Sequence, residues 1–243
     1  MKRFLLFLAC LTIPARADEI TVSAAASLRE VLTEIGANYR KAQPQTRLNF
    51  NFGSSGTLQK QIEAGAPVDV FIAAASKNIA ALASQGAIDG ATQRLFAGGE
   101  LVLIAPRESK LRSLSDLKLP SVRTLALGGP GVPAGDYARQ TLRFLKLSDA
   151  VAPKIVNGKD VRAVLAQVAA GNADAGFVYR TDALSSRAVR VVAVAPAQSH
   201  APVRYPMAVV KEAPNRAGAL RFWRYLSSSS AKKVLQRRGF RPG

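Results

Sequence analysis

Strand-like and helix-like segments alternate along almost the whole chain, and this alternation constrains the fold more than any single motif. ITVSAA precedes a helical stretch in which Leu28, Val31, Leu32, Ile35 and Tyr39 recur at 3.6-residue spacing. LNFNF precedes TLQKQIEAG, and DVFIAA precedes SKNIAALASQG. Short β-rich runs separated by amphipathic helices are the pattern of βαβ units, in which crossover helices cover a parallel sheet. After the Gly98-Gly99 break, a longer strand, ELVLIAP (100–106), leads into a second series: TLALGG, a helix from about Ala134, KIVNG, the helix DVRAVLAQVAAG, AGFVY and VRVVAVAP. RYPMAVV reads as one more strand, confined to an edge or first position because Pro206 cannot donate to a ladder. The helices NRAGALRFWRYLSSS and SAKKVLQRRG close the chain, with Gly239 as a left-handed stop. The expected fold class is α/β: two doubly wound α/β lobes joined by a two-segment hinge near Glu100 and near Tyr205. Lobe I then comprises 18–98 and 203–243, and lobe II 99–202. Such lobes face each other across a cleft at the carboxyl ends of their strands, the usual ligand position in open α/β sheets.

Residues 1–17, MKRFLLFLACLTIPARA, combine Lys2 and Arg3, an apolar run from Phe4 to Ile13, and an Ala15-Arg16-Ala17 cleavage site, the layout of a secretory signal peptide. The run is about half the roughly twenty apolar residues a membrane span needs. The mature chain is therefore expected to begin at Asp18 and to be a soluble periplasmic protein. A lipoprotein cleaved before Cys10 fits less well, since Phe7 stands where a small aliphatic residue is expected. Cys10 is the only cysteine, so the exported chain is expected to have neither disulfides nor thiol chemistry.

The formal charge is +18, and removing Lys2, Arg3 and Arg16 with the signal peptide leaves +15. That charge admits nucleic acid, an anionic membrane surface or a small anion as partner. The densest cation groups, Lys232-Lys233 and Arg237-Arg238, lack the interleaved aromatics that stack bases, so a solvated basic surface is expected and nucleic acid is not. His200 is the sole histidine, and no H-E-x-x-H, C-x-x-C or paired-aspartate pattern occurs, so no metal-cation site is expected. A serine triad would have to use His200 in the loop APAQSHAPVRYP, and the chain has no G-x-S-x-G elbow. GSSGTLQK is not a phosphate loop either, because Thr57 follows Gly56 where the lysine is required and Lys60 lies on the helix beyond.

What remains is a local design repeated at strand ends, where a small or hydroxyl residue is followed by a helix. Ser27 with Glu30 reads as a capping box. Ser55 or Gly56 opens the next helix. Pro133 suits a first helical turn, leaving the amides of Ala134 and Gly135 free. Asp160 caps another helix, at which Val161 offers the first unpaired N–H. Each helix start carries about half a positive charge, so four facing one cleft supply about +2 without an ionised side chain. Their orphan amides suit a tetrahedral dianion. Ser27 and Ser55 add hydroxyl donors, and Tyr179, at the end of AGFVY, a phenolic one.

Taken in order from about Ile20 to Gly239, the segments TVSAAASL, FGSSGTLQKQIEAGAPVDVFIAA, GGPGVPAGDYA, DVRAVLAQV, GFVYRTDA and RYPMAVV resemble the periplasmic molybdate-binding proteins that feed ABC transporters, within the type 2 periplasmic binding proteins. The resemblance implies an oxyanion dehydrated between the lobes and held by neutral donors. Ser27 and Ser55 would give hydroxyl and amide bonds, Ala134 and Val161 amide bonds, and Tyr179 its hydroxyl; the choice of Ser55 over Ser54 comes from the resemblance. It implies molybdate, and tungstate nearly as well, as ligand, a membrane permease as partner, no cofactor, no direct cation ligand and no enzymatic activity. A monomer is expected. Arg180 is expected to point away from the side of Tyr179, as consecutive residues of an extended segment do. Since every group around the ion donates and Asp160 is engaged as a cap, hydrogen phosphate, which needs an acceptor, is expected to be rejected. The competing readings are a receptor for sulfate or another small anion and, in a different class, an exported hydrolase using Ser54 or Ser55.

Overall fold

In the computed structural model, which describes residues 18–243, β1 (Asp18–Ala25) lies between two parallel neighbours, β2 (Thr46–Gly53) and β3 (Val70–Ile72). The signal-peptide reading of 1–17 and Cys10 fall outside the described residues. From Val22 to Ala25 every residue but Ser23 is apolar and all are buried, as a strand covered on both faces requires. In β3 the faces separate by alternation. Val70 and Ile72 join a cluster with Ile35 and Phe222, whereas Phe71 joins Leu58, Ile62, Ile79 and Leu82. Helices α1 (Arg29–Ala42) and α8 (Arg216–Leu226) thus cover one face, and α2 (Ser55–Glu63) and α3 (Ser76–Ser84) the other.

The sheet is completed by β10 (Arg204–Val209), β4 (Arg94–Gly98) and β11 (Arg241–Pro242), in the order β11-β4-β10-β3-β1-β2. A second sheet has the order β7-β6-β8-β5-β9, with β5 Leu101–Pro106, β6 Leu125–Gly128, β7 Ile155–Gly158, β8 Ala175–Tyr179 and β9 Val189–Val194. Strands β6, β7 and β8 run parallel, and α4 (Pro133–Phe144) and α6 (Val161–Ala169) connect this series. The short helix α5 (Ser148–Val151) precedes β7, α7 (Arg180–Leu184) follows β8, and α9 (Ser229–Arg237) precedes β11. The sheets are mixed rather than purely parallel, because β10 enters the first and β5 the second antiparallel to their neighbours. No helix among the described residues is long and apolar enough to cross a membrane.

The chain passes between the sheets at Gly98–Glu100 and again over 195–203, and the Gly99 amide donates to the Val203 carbonyl at 3.1 Å, tying the crossings together. One sequence expectation is corrected here, and one element is added. Strand β10 is not an edge strand: it lies between β4 and β3. Its ladder shifts register between Tyr205, opposite Ala97, and Pro206, opposite Leu95, and such a bulge accommodates a residue without an N–H. Strand β4, unmarked in the sequence because Gly98-Gly99 reads as a break, exists by pairing with β10 and β11.

Candidate functional site

Five chain segments turn into helices or helical turns at the carboxyl ends of β1, β2, β6, β7 and β8, and they enclose one small cavity. Its lining includes Ser27, Ser55, Ala134, Val161 and Tyr179, together with Ser54, Val132 and Asp160. All five sequence-derived residues are therefore brought together, each no more than 4% exposed.

The local chemistry differs from the sequence reading in three places. Ser27 forms no capping box: it sits in a 3-10 turn, Ala26–Leu28, α1 begins after Leu28, and Ser27 Oγ donates to the Tyr205 hydroxyl at 3.2 Å. Glu30, the expected box partner, instead pairs with Arg162 of α6. At the start of α2 the cap is Ser54, whose Oγ accepts from the Thr57 amide at 3.2 Å and donates to Thr57 Oγ1 at 2.8 Å. Ser55 is the first helical residue, and its Oγ accepts from the Ala74 amide at 2.8 Å, so its own proton stays available. At α4 the Gly135 amide is not free, since it donates to Val132 O at 2.9 Å. Ala134, behind Pro133 at the first position, keeps an amide with no helical carbonyl to meet. Asp160 caps α6 as expected, accepting from the Ala163 amide at 2.9 Å, and leaves the Val161 amide in the unpaired first position.

Tyr179 ends β8 and its hydroxyl is buried with no hydrogen-bond partner among the described residues. Burial pushes this phenol well above its usual range, so it remains a protonated donor. Among the described residues, no lysine, arginine or histidine lines the cavity. Lys77 pairs with Asp136 at 2.6 Å and Arg162 with Glu30 and Asp182. Arg180 opens α7 instead of continuing an extended segment, and its Nε donates to Glu100 at 2.7 Å. His200 is half-buried against Tyr137, ring centroids 5.6 Å apart, and its Nδ1 lies 2.7 Å from Ala201 O; it is not among the cavity residues. Among the described residues no group of three or more His, Cys, Asp or Glu is placed to hold a metal ion.

Contacts between the two sheet units surround the cavity. The Gly56 amide donates to Gly131 O at 3.0 Å and the Tyr137 hydroxyl to Ala74 O at 3.2 Å, alongside the Lys77–Asp136 and Arg162–Glu30 pairs. Sequence reasoning missed Ala74, Tyr137, Tyr205 and Arg162, whose partners lie far away along the chain.

A profile described as bacterial extracellular solute-binding protein matches residues 20–241. The chain belongs to this family. Within it, the chain is 41% identical to the molybdate-binding protein ModA of Haemophilus influenzae, over 93% of this chain and 91% of the relative. Among solved structures it is similar to the periplasmic molybdate-binding protein of Azotobacter vinelandii, with a TM-score of 0.82, 25% identity, and coverage of 91% of this chain and 98% of the other. The sulfate-binding protein SubI of Mycobacterium tuberculosis, at 18% identity and a TM-score of 0.79 over 92% of this chain and 86% of the other, shares the fold. The cavity of the present chain lies between its two sheets.

Proposed function

We propose that this protein is an extracytoplasmic receptor that captures molybdate, and tungstate as well, and delivers it to the permease of an ABC transporter. The observation that carries the proposal is the donor set: a buried cavity offering hydroxyls, first-turn amides and a phenol that, among the described residues, has no partner, with no cation among the described residues that line it. Molybdate and tungstate are fully ionised near neutral pH and only accept hydrogen bonds. An environment of neutral donors matches them without the desolvation cost of a buried cation. Ser27 and Ser55 would bind through hydroxyl and amide, Ala134 and Val161 through amides, and Tyr179 through its hydroxyl. The identities of relatives such as the Haemophilus influenzae molybdate-binding protein support the choice of ion.

Lobe I, 18–98 with 203–243, supplies the serines, and lobe II, 99–202, supplies Ala134, Val161 and Tyr179. An ion touching both favours the closed arrangement over an open one by its contacts to the second lobe, a population shift. The chain would work in the periplasm as a monomer after loss of 1–17, without a cofactor, enzymatic activity or nucleic-acid partner. Thermal melting against a panel of oxyanions tests the proposal, because a tight ligand of the folded state raises the melting temperature by mass action. Molybdate and tungstate are expected to raise it at micromolar concentration and phosphate to leave it unchanged. A shift with sulfate alone would move the assignment to a sulfate receptor, and no shift with any oxyanion would remove it.

A further inference from the structure

The hydrogen bond between Ser27 and Tyr205 has consequences for how the cavity presents its donors. Tyr205 lies on β10, where the chain returns from the second sheet, and its side chain is fully buried. The ring is held edge-on by Tyr179, centroids 5.6 Å apart, and by Phe240 at 5.5 Å. A Cβ at Gly99 would stand 3.2 Å from that ring, so the glycine lets the hinge backbone pass beside it. The hydroxyl is thus fixed at 3.2 Å from Ser27 Oγ, which donates to it in the ligand-free structure; hydroxyl hydrogens rotate, so the direction can reverse once Ser27 has an anion to donate to.

Two hydroxyls bring two protons to this single bond, and one proton is left over. With Ser27 as donor, the leftover proton belongs to Tyr205, which has no other hydrogen-bond partner among the described residues. A buried donor left unmet in this way is costly. With Tyr205 as donor, the leftover proton belongs to Ser27, which lines the cavity. Burial raises the Tyr205 phenol well above its usual range, so it carries its proton at all relevant pH. Ser55 is arranged in the same way: the Ala74 amide donates to its Oγ at 2.8 Å, which leaves the serine proton over. With Tyr205 as donor, Ser27 would match Ser55, receiving one hydrogen bond from the protein scaffold and keeping one to give.

We infer that Tyr205 is a positioning residue of the oxyanion site, which, when the ion is bound, reverses this hydrogen bond to donate to Ser27 Oγ, fixes that side chain and directs the Ser27 proton at the ion. It rests on the oxyanion reading above. The tyrosine does not touch the ion; it makes Ser27 an oriented donor and links that donor to the strand that returns from the hinge.

A double-mutant cycle tests this, with molybdate titrated calorimetrically into the mature wild-type chain, Tyr205→Phe, Ser27→Ala and the double variant. Tyr205→Phe keeps the packed ring and is expected to weaken molybdate binding roughly 2- to 12-fold, the worth of one neutral hydrogen bond. In the Ser27→Ala background the same change is expected to alter the dissociation constant by less than about twofold, the scatter of non-interacting sites. Equal losses in both backgrounds would show that the tyrosine acts through packing and would overturn the inference, as would a Tyr205→Phe affinity equal to that of wild type. No heat from wild type would overturn the oxyanion reading itself, and the inference with it.

Discussion

Gly56→Ala tests lobe closure without touching any proposed ligand donor. A Cβ at position 56 would lie 2.5 Å from Gly131 O and 2.8 Å from Gly131 Cα, where 3.4 Å or more is ordinary contact. Gly131 cannot easily yield, since its φ of +79° is a left-handed conformation that places its carbonyl against α2. Parting the surfaces by about 0.9 Å would relieve the clash but stretch the 3.0 Å Gly56 N–H bond to Gly131 O beyond hydrogen-bonding range. Overpacking costs about 1–3 kcal/mol and the lost bond about 1 kcal/mol. Closure is therefore disfavoured by about 2–4 kcal/mol, or roughly 30- to 900-fold in affinity. In an open molecule the new methyl meets nothing of Gly131, and alanine is the better helix former by about 1 kcal/mol. Calorimetry with molybdate and ligand-free thermal melting, performed together, are expected to show a weaker complex of an equally or slightly more stable protein. An unchanged dissociation constant would refute the claim that the ion is bound by closing these surfaces.

Ser54→Ala and Ser55→Ala should part company although the residues adjoin. The first removes the cap of α2 and is expected to lower stability by about 1 kcal/mol in urea melts with little change in affinity. The second removes a donor to a charged acceptor and is expected to weaken molybdate binding by about 1–3 kcal/mol in calorimetry; the reverse pattern would exchange their roles. Asp182 is 1% exposed, and burial pushes its carboxyl up to about 7 despite the opposing influence of Arg162. The folded state then keeps a proton that the unfolded chain loses from about pH 4 upward. Stability should fall as pH rises from about 4 to 7 and level off above, with a slope from this group of at most about 1.4 kcal/mol per pH unit. Urea melts across that range should show a flatter profile for Asp182→Asn, and an unchanged slope would contradict the assignment.

Much of the fold was legible in the sequence because its strands and helices are locally determined. The apolar period of Leu28, Val31, Leu32, Ile35 and Tyr39 marks the buried side of the first helix and the turn before it, and the cap Asp160 and the stop at Gly239 (φ +84°) work as their residue types dictate. What escaped the sequence depends on distant partners. Strand β4 exists because β10 and β11 pair with it, and Pro206 is tolerated inside a sheet because the ladder bulges beside it. At the cavity the residue types were readable and the direction of each proton was not. The distinction between Ser54 and Ser55 lies in which hydroxyl meets Thr57 and which meets Ala74. Likewise Glu30 reads as a capping partner until Arg162, 132 positions away, is seen to hold it.

The central claim, that neutral donors from both sheet units hold one fully ionised oxyanion, is tested most directly by calorimetric titration of molybdate into the mature protein at neutral pH, repeated with phosphate. The account predicts one molybdate per chain, bound tightly, competed by tungstate, and no measurable heat from phosphate. Absence of molybdate binding, or phosphate bound at micromolar concentration, would contradict it.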